Sequence, residues 1–431
     1  MTAAGSRAAL LGLALSILMA PVGEGQTASG EPGEPGSELE IYVMTMGVGA
    51  EIWERFGHNA IGVRDKSRGT DLVYNYGTFD FAAPGFVTNF LQGRMLYWLD
   101  VADAEATIRF YQERRHRSVY IQELNLLPLK RMELKEFLEW NAREENKVYR
   151  YDYYRDNCST RVRDAIDRLL GGMFKSLTDT TFTGSTYRSH TRRLTTNNPL
   201  MYTAIETGMG HPVDQPISAW EEMFLPLAVR DHLRKLTVPG NNGQPVPLVR
   251  VERTVYESDV YGFRETPPSW VTWYLLAGIV IGGVALVLGR SATESRGART
   301  GFMMLGTFWY LLMGVGGLML LGLWGFTDHL IARQNENVLQ LNLLALPLVL
   351  LLPVGLRRGG NWGRAALRVS LVVSVIALAG LLLKVLPMFG QVNLEIIALV
   401  LPVYLGLAGG LYAQLRADLP ARRTPSLGQT S

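Results

Sequence analysis

The chain has 431 residues, 42 basic and 39 acidic side chains, and a single cysteine. That length allows two or three ordinary domains, and the near-balanced charge excludes the clustered basic face of a nucleic-acid binder. One thiol excludes an internal disulfide, and no His/Cys spacing resembles a metal-ligand set, so neither metal nor cofactor is expected.

In residues 1–25, Arg7 precedes an apolar run over 8–20 and small residues follow, the layout of a secretory signal. The run is too short to span a bilayer comfortably; an uncleaved anchor is the alternative. Residues 26–37 are rich in Gly, Pro, Glu and Ser and read as a flexible linker. Residues 38–265 carry ordinary charge and read as a folded domain outside the membrane. Strands are expected over 41–46, 60–64 and 72–76, the last two joined as a hairpin by the polar turn 65–71. A helix over 104–115, a strand over 119–124, a helix over 129–144 and an aromatic strand over 148–153 follow. The class is α+β, with helices beside an antiparallel sheet.

The next helix begins at Asp156-Asn157-Cys158-Ser159-Thr160 and ends at Gly171-Gly172. Cys158 falls in its first turn. Unpaired N–H groups and the helix dipole there favour an anion, so the thiol pKa is expected to be lowered. The same N–H groups suit a tetrahedral oxyanion. A cysteine nucleophile needs a base. Of six histidines, His116, His190, His211 and His232 sit in charged or turn segments and read as exposed or structural, while His58 stands between a glycine and the start of a strand. The order histidine, strand, strand, cysteine helix is that of a circularly permuted papain-like (NlpC-type) domain. The third group that orients the imidazole is expected on the neighbouring strand. Asn75 is the candidate, with Tyr76 behind it, and alternation lets only one of the two face His58.

Residues 266–415 read as a membrane domain of five helices, with spanning segments over 270–289, 302–325, 338–356, 367–386 and 394–415. Arg290, Arg296 and Arg299 follow the first segment. Arg357, Arg358, Arg364 and Arg368 lie between the third and fourth, and Arg416, Arg422 and Arg423 follow the fifth. The positive-inside rule places these in the cytoplasm, with 416–431 as a cytoplasmic tail, and the residue 38–265 domain on the outer side. The outer loop 327–337 holds Asp328, His329, Asn335 and Asn337. It reads either as a solvated loop or as a polar rim facing a lipid headgroup or the folded domain.

Three motifs carry a family resemblance: Glu54-Arg55-Phe56-Gly57-His58; Tyr74-Asn75-Tyr76-Gly77 with Phe79-Asp80-Phe81; and Asp156-Asn157-Cys158-Ser159-Thr160-Arg161 with Arg163-Asp164. They resemble the N-terminal periplasmic domain of Lnb, a bacterial lipoprotein N-acyltransferase family. Residues 216–226 look like its domain-closing segment, and Asp328-His329 with Asn335 and Asn337 resembles its outer loop. The resemblance implies an enzyme of the bacterial inner membrane. Its acyl donor is a phospholipid, and its acceptor is the α-amino group of a diacylglyceryl lipoprotein. Cys158 and His58 would be catalytic with Asn75 or Tyr76, and Asn157, Arg161, Arg163 and the four loop residues would contact substrate. Rival readings are a phospholipase, a cell-wall cysteine peptidase or amidase with the same Cys/His pair, and a non-enzymatic receptor or assembly factor.

Overall fold

The computed structural model describes residues 33–240 and 243–418. The expected signal sequence, the linker up to residue 32 and the tail beyond 418 lie outside the described residues.

Alternating apolar residues build β1 (Leu39–Met46), which pairs antiparallel on one side with β2 (His58–Asp65). The turn 66–69 joins β2 to β3 (Thr70–Thr78), so the expected hairpin forms. Sequence reasoning missed the next two elements, a short helix α1 (Phe86–Gln92) and β4 (Leu96–Asp103). The expected helix over 104–115 is α2 (Ala104–Arg109) running into a π-helical turn, Phe110–Arg114. Then come β5 (Val119–Leu124), α3 (Pro128–Asn141), the short β6 (Val148–Arg150) and α4 (Cys158–Leu169). The strand Val249–Tyr256, also missed, completes a seven-stranded antiparallel sheet beside β5; the remaining order is β5-β1-β2-β3-β4-β6.

The two faces of the sheet bury different sets. Ile61, Val63, Tyr74 and Tyr76 join Leu134 and Leu138 of α3 and Val162 and Ile166 of α4 in the main core. Tyr42, Met44, Ala60 and Val73 face the other way, against Ala104 and Tyr111. Asn157 ends the loop before α4 by accepting from the N–H groups of Ser159 and Thr160, both at 2.9 Å.

Five helices have the length and apolar composition to cross a membrane. The first, second, fourth and fifth are Val271–Ser291, Arg296–Phe326, Gly360–Leu382 and Leu394–Asp418. The third departs from the expected continuous helix. Residues 336–345 descend as two short turns, Glu336–Leu339 and Leu343–Ala345, before the helix Leu346–Arg358. Irregular backbone at that depth survives because protein, not lipid, covers it. Gln340 is buried and donates to Ala377 O at 2.9 Å, and Tyr404 donates to Gln340 O at 2.9 Å.

The two halves are joined by a buried polar seam. Arg188 bonds Glu206 (3.0 Å) and Asp214 (2.6 Å), and all three are buried. Gln391, just before the fifth span, donates to Met209 O at 2.9 Å. Glu395 of that span accepts from Tyr202 and from the Trp270 N–H, each at 2.8 Å, while Lys384 pairs with Glu336. His190, expected to be exposed, is buried in the folded domain, 3.0 Å from Glu222. Its flanking arginines turn to other partners and leave the ring inside.

Candidate active site

Cys158 is the first residue of α4, and its Cβ lies 3.2 Å from where a Cβ on Gly77 would stand. Gly77 has φ +92°, a conformation costly for any other residue, at the end of β3. The absent side chain is what lets the start of α4 close on the end of the sheet. Asn59 holds the same junction from β2: its amide nitrogen reaches Ser159 Oγ (3.2 Å) and Pro226 O (3.3 Å). The segment 220–226 closes the site by supplying carbonyls. Phe224 accepts from Asn157 (3.0 Å), Met223 from Ser159 (2.9 Å) and Trp220 from Arg163 (2.7 Å).

His58 starts β2, and its ring stacks on Tyr111 of the π-helical turn with centroids 6.2 Å apart. Arg117 lies over the Tyr111 ring at 5.0 Å, is buried, and donates to Gly47 O at 2.8 Å. Its Nη2 has no hydrogen-bond partner among the described residues. The Arg117 charge acts on both His58 and Cys158, and Tyr111, stacked on His58, feels the Cys158 charge. Asn75 lies near enough to His58 to oppose the lowering of its pKa. Its amide nitrogen is turned to Val73 O at 3.4 Å, which leaves its carbonyl oxygen for the ring. Tyr76 does not reach this pocket: its hydroxyl donates to Asn141 Oδ1 at 2.7 Å in the main core. Strand alternation thus brings Asn75, and not Tyr76, to His58.

Burial sets the protonation states. It pushes the His58 pKa down to about 3, helped by Arg117 and opposed by the Asn75 bond. It also pushes the Cys158 thiol up, contrary to the lowering expected from a helix start. The backbone N–H of Asn59, the Arg117 charge, and the N–H groups of Ser159 and Cys158 all oppose that rise without overcoming it. The resting pair is a neutral thiol beside a neutral imidazole, in a pocket whose donors are aimed at an anion on sulfur.

Four other expected contact residues prove structural. Asn157 is committed to capping α4 and to the carbonyls of Tyr153 and Phe224. Arg163 is buried, stacked on Trp220 at 3.8 Å and paired with Asp164. Asn335 donates to the carbonyls of Thr207 and Gly208 (2.9 and 3.0 Å), and Asn337 to Thr207 O at 3.0 Å. Both are fully buried and end the helix Pro199–Gly208. Arg161 is held by both oxygens of Asp156 (2.5 and 2.7 Å) and lies 4.1 Å over the Tyr149 ring. Asp328 and His329 are partly exposed and bind the folded domain. Asp328 takes Arg94 and Arg150, both at 2.8 Å, and His329 bonds Phe90 O at 2.9 Å and stacks on Tyr153.

Sequence reasoning missed Arg117, Tyr111 and Tyr149. Arg117 ends a basic run that reads as solvated, and only the fold turns it inward. The Tyr149 hydroxyl is buried with no partner among the described residues, 3.8 Å from the position of a Gly77 Cβ and close enough for the Cys158 charge to raise its pKa. The cluster of tyrosines before the cysteine was the available signal. Among the described residues, no group of three His, Cys, Asp or Glu side chains is placed to hold a metal ion.

An α+β domain with a half-buried thiol at a helix start, seated on five membrane-length helices, defines a multi-pass membrane protein with a thiol site outside the bilayer. Residues 35–193 match the family described as the Lnb N-terminal periplasmic domain, and the helices that follow give the chain the Lnb-type architecture. The matched residues hold His58, Asn75 and Cys158, and the domain is periplasmic by that match. No curated protein and no solved structure matches the chain.

Proposed function

We propose that this protein is a cysteine-dependent lipoprotein N-acyltransferase of the bacterial inner membrane, with a circularly permuted papain-like catalytic domain. One observation carries the reading. The Lnb match encloses a thiol at a helix start, sharing a buried pocket with an imidazole that Asn75 orients, on a membrane-spanning base. A buried thiol raised by desolvation is made reactive by proton transfer at the moment of attack, which is the task of a neutral imidazole.

In the first half-reaction His58 takes the Cys158 proton as sulfur attacks the carbonyl carbon of a phospholipid ester. The N–H groups of Asn59 and Cys158, which favour an anion on sulfur, and the unpartnered Tyr149 hydroxyl would stabilise the oxyanion. The carbon–oxygen bond breaks, His58 returns the proton to the departing lysophospholipid oxygen, and a thioester remains. In the second half-reaction the α-amine of a diacylglyceryl lipoprotein attacks that thioester. His58 accepts the amine proton and passes it to the leaving sulfur, which regenerates the thiol. A covalent carrier splits one difficult transfer into two easier ones.

The test is intact-mass analysis of lipoprotein N-termini in cells lacking every other N-acylating enzyme. Expression of the wild type should add one acyl mass, and Cys158→Ala should add none. Unchanged N-termini with the wild type present would refute the transferase. A thioester that decays equally fast with and without an amine acceptor would mark a phospholipase instead.

A further inference from the structure

Beside the pocket lies a surface that an ordinary exposed domain does not present. Trp53 (46% exposed), Phe81 (58%), Val87 (64%), Phe90 (42%) and Leu91 (59%) are large apolar side chains left in the open. They are contiguous, and contiguous apolar patches mark interaction sites. Trp53 meets Phe81 at 5.3 Å, Phe81 meets Phe86 at 5.2 Å, Phe86 meets Phe90 at 6.4 Å, and Phe90 meets His329 at 6.3 Å.

The two ends of this row are fixed by different parts of the molecule. At one end, Trp53 sits in the turn that leads into His58. Phe79, 6.3 Å from Trp53, follows Gly77, the residue packed on Cys158. At the other end, α1 rests on the outer loop of the membrane domain. Asp328 N–H donates to Gln92 O at 2.8 Å, and the loop approaches so closely that a Cβ on Gly93 would stand 2.7 Å from His329 N. The loop begins at Phe326, the exposed outer end of the second span. The aromatic row thus runs from the outer loop beside the second span, through His329, to the turn that leads into His58. Arg94 and Arg150 pair with Asp328 beside it and add cationic groups to the outer loop.

We propose that the row from Phe90 through Phe86, Phe81 and Phe79 to Trp53 is a track that holds one acyl chain of a membrane lipid, lifting its ester from the outer leaflet to Cys158. The inference rests on the acyl-transfer reading for what happens at its end, but the lipid site is testable without it. A carbonyl carbon must leave the bilayer surface to meet a thiol in a buried pocket. An aromatic surface replaces the lipid contacts the chain gives up on the way.

Two measurements on the full-length chain in nanodiscs decide the matter. In the first, Cys158→Ala protein is irradiated with a phospholipid carrying a diazirine midway along one acyl chain, and labelled peptides are mapped. Label is expected on residues 78–92 and on the peptide containing Trp53. Label confined to α1 makes it a plain bilayer anchor, and label confined to the spans leaves no lipid site; either overturns the track. In the second, Phe81→Ser/Phe90→Ser is compared with wild type for Cys158 acylation by a long-chain phospholipid and by p-nitrophenyl acetate. The long-chain rate should fall roughly tenfold relative to the acetate rate, the effect of losing apolar contact on about one buried side chain. Equal change in both rates overturns the track. Labelling of the track without any Cys158 thioester in the wild type would sink the acyl-transfer reading alone. A thioester without labelling or selectivity change would sink the track alone.

Discussion

Cys158 carries two opposed influences, and burial outweighs the helix start. A thiol with a raised pKa should react slowly with iodoacetamide at pH 7, and its alkylation rate should climb only above the ordinary value of 9.0. An inflection between pH 6 and 8, measured by mass spectrometry of the Cys158 peptide, would show a preformed thiolate and contradict the neutral pair. Tyr149→Phe removes the one buried hydroxyl without a partner near sulfur. Loss of an oxyanion donor costs on the order of 100-fold in turnover. Acylation should fall on that scale while the alkylation profile of Cys158 stays the same. His58 makes a stability prediction as well. Folded, it protonates only near pH 3; unfolded, near 6.5. Between those values the unfolded chain binds more protons, so the contribution is full above 6.5 and is lost as pH falls towards 3. Thermal unfolding in detergent should therefore lose midpoint more steeply below pH 6.5 for wild type than for His58→Gln.

At the scale of elements, two junctions decide whether the site assembles. Gly77 allows α4 to touch the end of β3, at φ +92° and 3.2 Å from the Cys158 Cβ. Gly77→Ala puts a side chain in a left-handed conformation, which costs about 1–2 kcal/mol. It also presses on Cys158, so activity should fall further than the melting shift accounts for. Asn335 and Asn337 end the helix Pro199–Gly208 from the membrane side. Asn335→Ala leaves buried carbonyls unpaired, a loss of about 1–3 kcal/mol. Limited proteolysis should then cut between the folded domain and the first span sooner than in wild type. Equal cleavage rates would show that the seam does not depend on this residue. The broken third span belongs to the same polar scheme. The asparagines that start it sit below the helix they cap, and a continuous helix from residue 336 would turn them away.

For the whole molecule, the governing fact is that the folded domain is packed onto its membrane-length helices rather than tethered to them. Tyr202 with Glu395, Gln391 with Met209, and Asp328 with Arg94 and Arg150 hold three separate points of contact. Much of this plan was legible in the sequence. The spans follow from composition, and the β2–β3 hairpin and the cysteine helix follow from period and capping. The missed pieces share a cause. Residues 86–92 mix exposed apolar Val87, Phe90 and Leu91 with Thr88, Asn89 and Gln92, bury no residue fully and so show no helix period. The strand Val249–Tyr256 is mostly exposed at the edge of the sheet and shows no buried alternation.

The sequence by itself singled out Cys158 and His58. A lone cysteine behind an asparagine cap and a histidine at a strand start are local facts, set by short-range hydrogen bonding and periodicity. It also determined that the domain lies outside five spans, because charge bias and hydropathy are properties of segments. Only the tertiary structure decided the electrostatics and the roles of the supporting residues. Burial is a sum over elements far apart in the chain, and it raised the thiol, lowered the imidazole and turned Arg117 inward. The choice of Asn75 over Tyr76 needed the register of β3 against the core. The conversion of Asn335 and Asn337 from candidate substrate contacts to helix caps needed the docking of two domains.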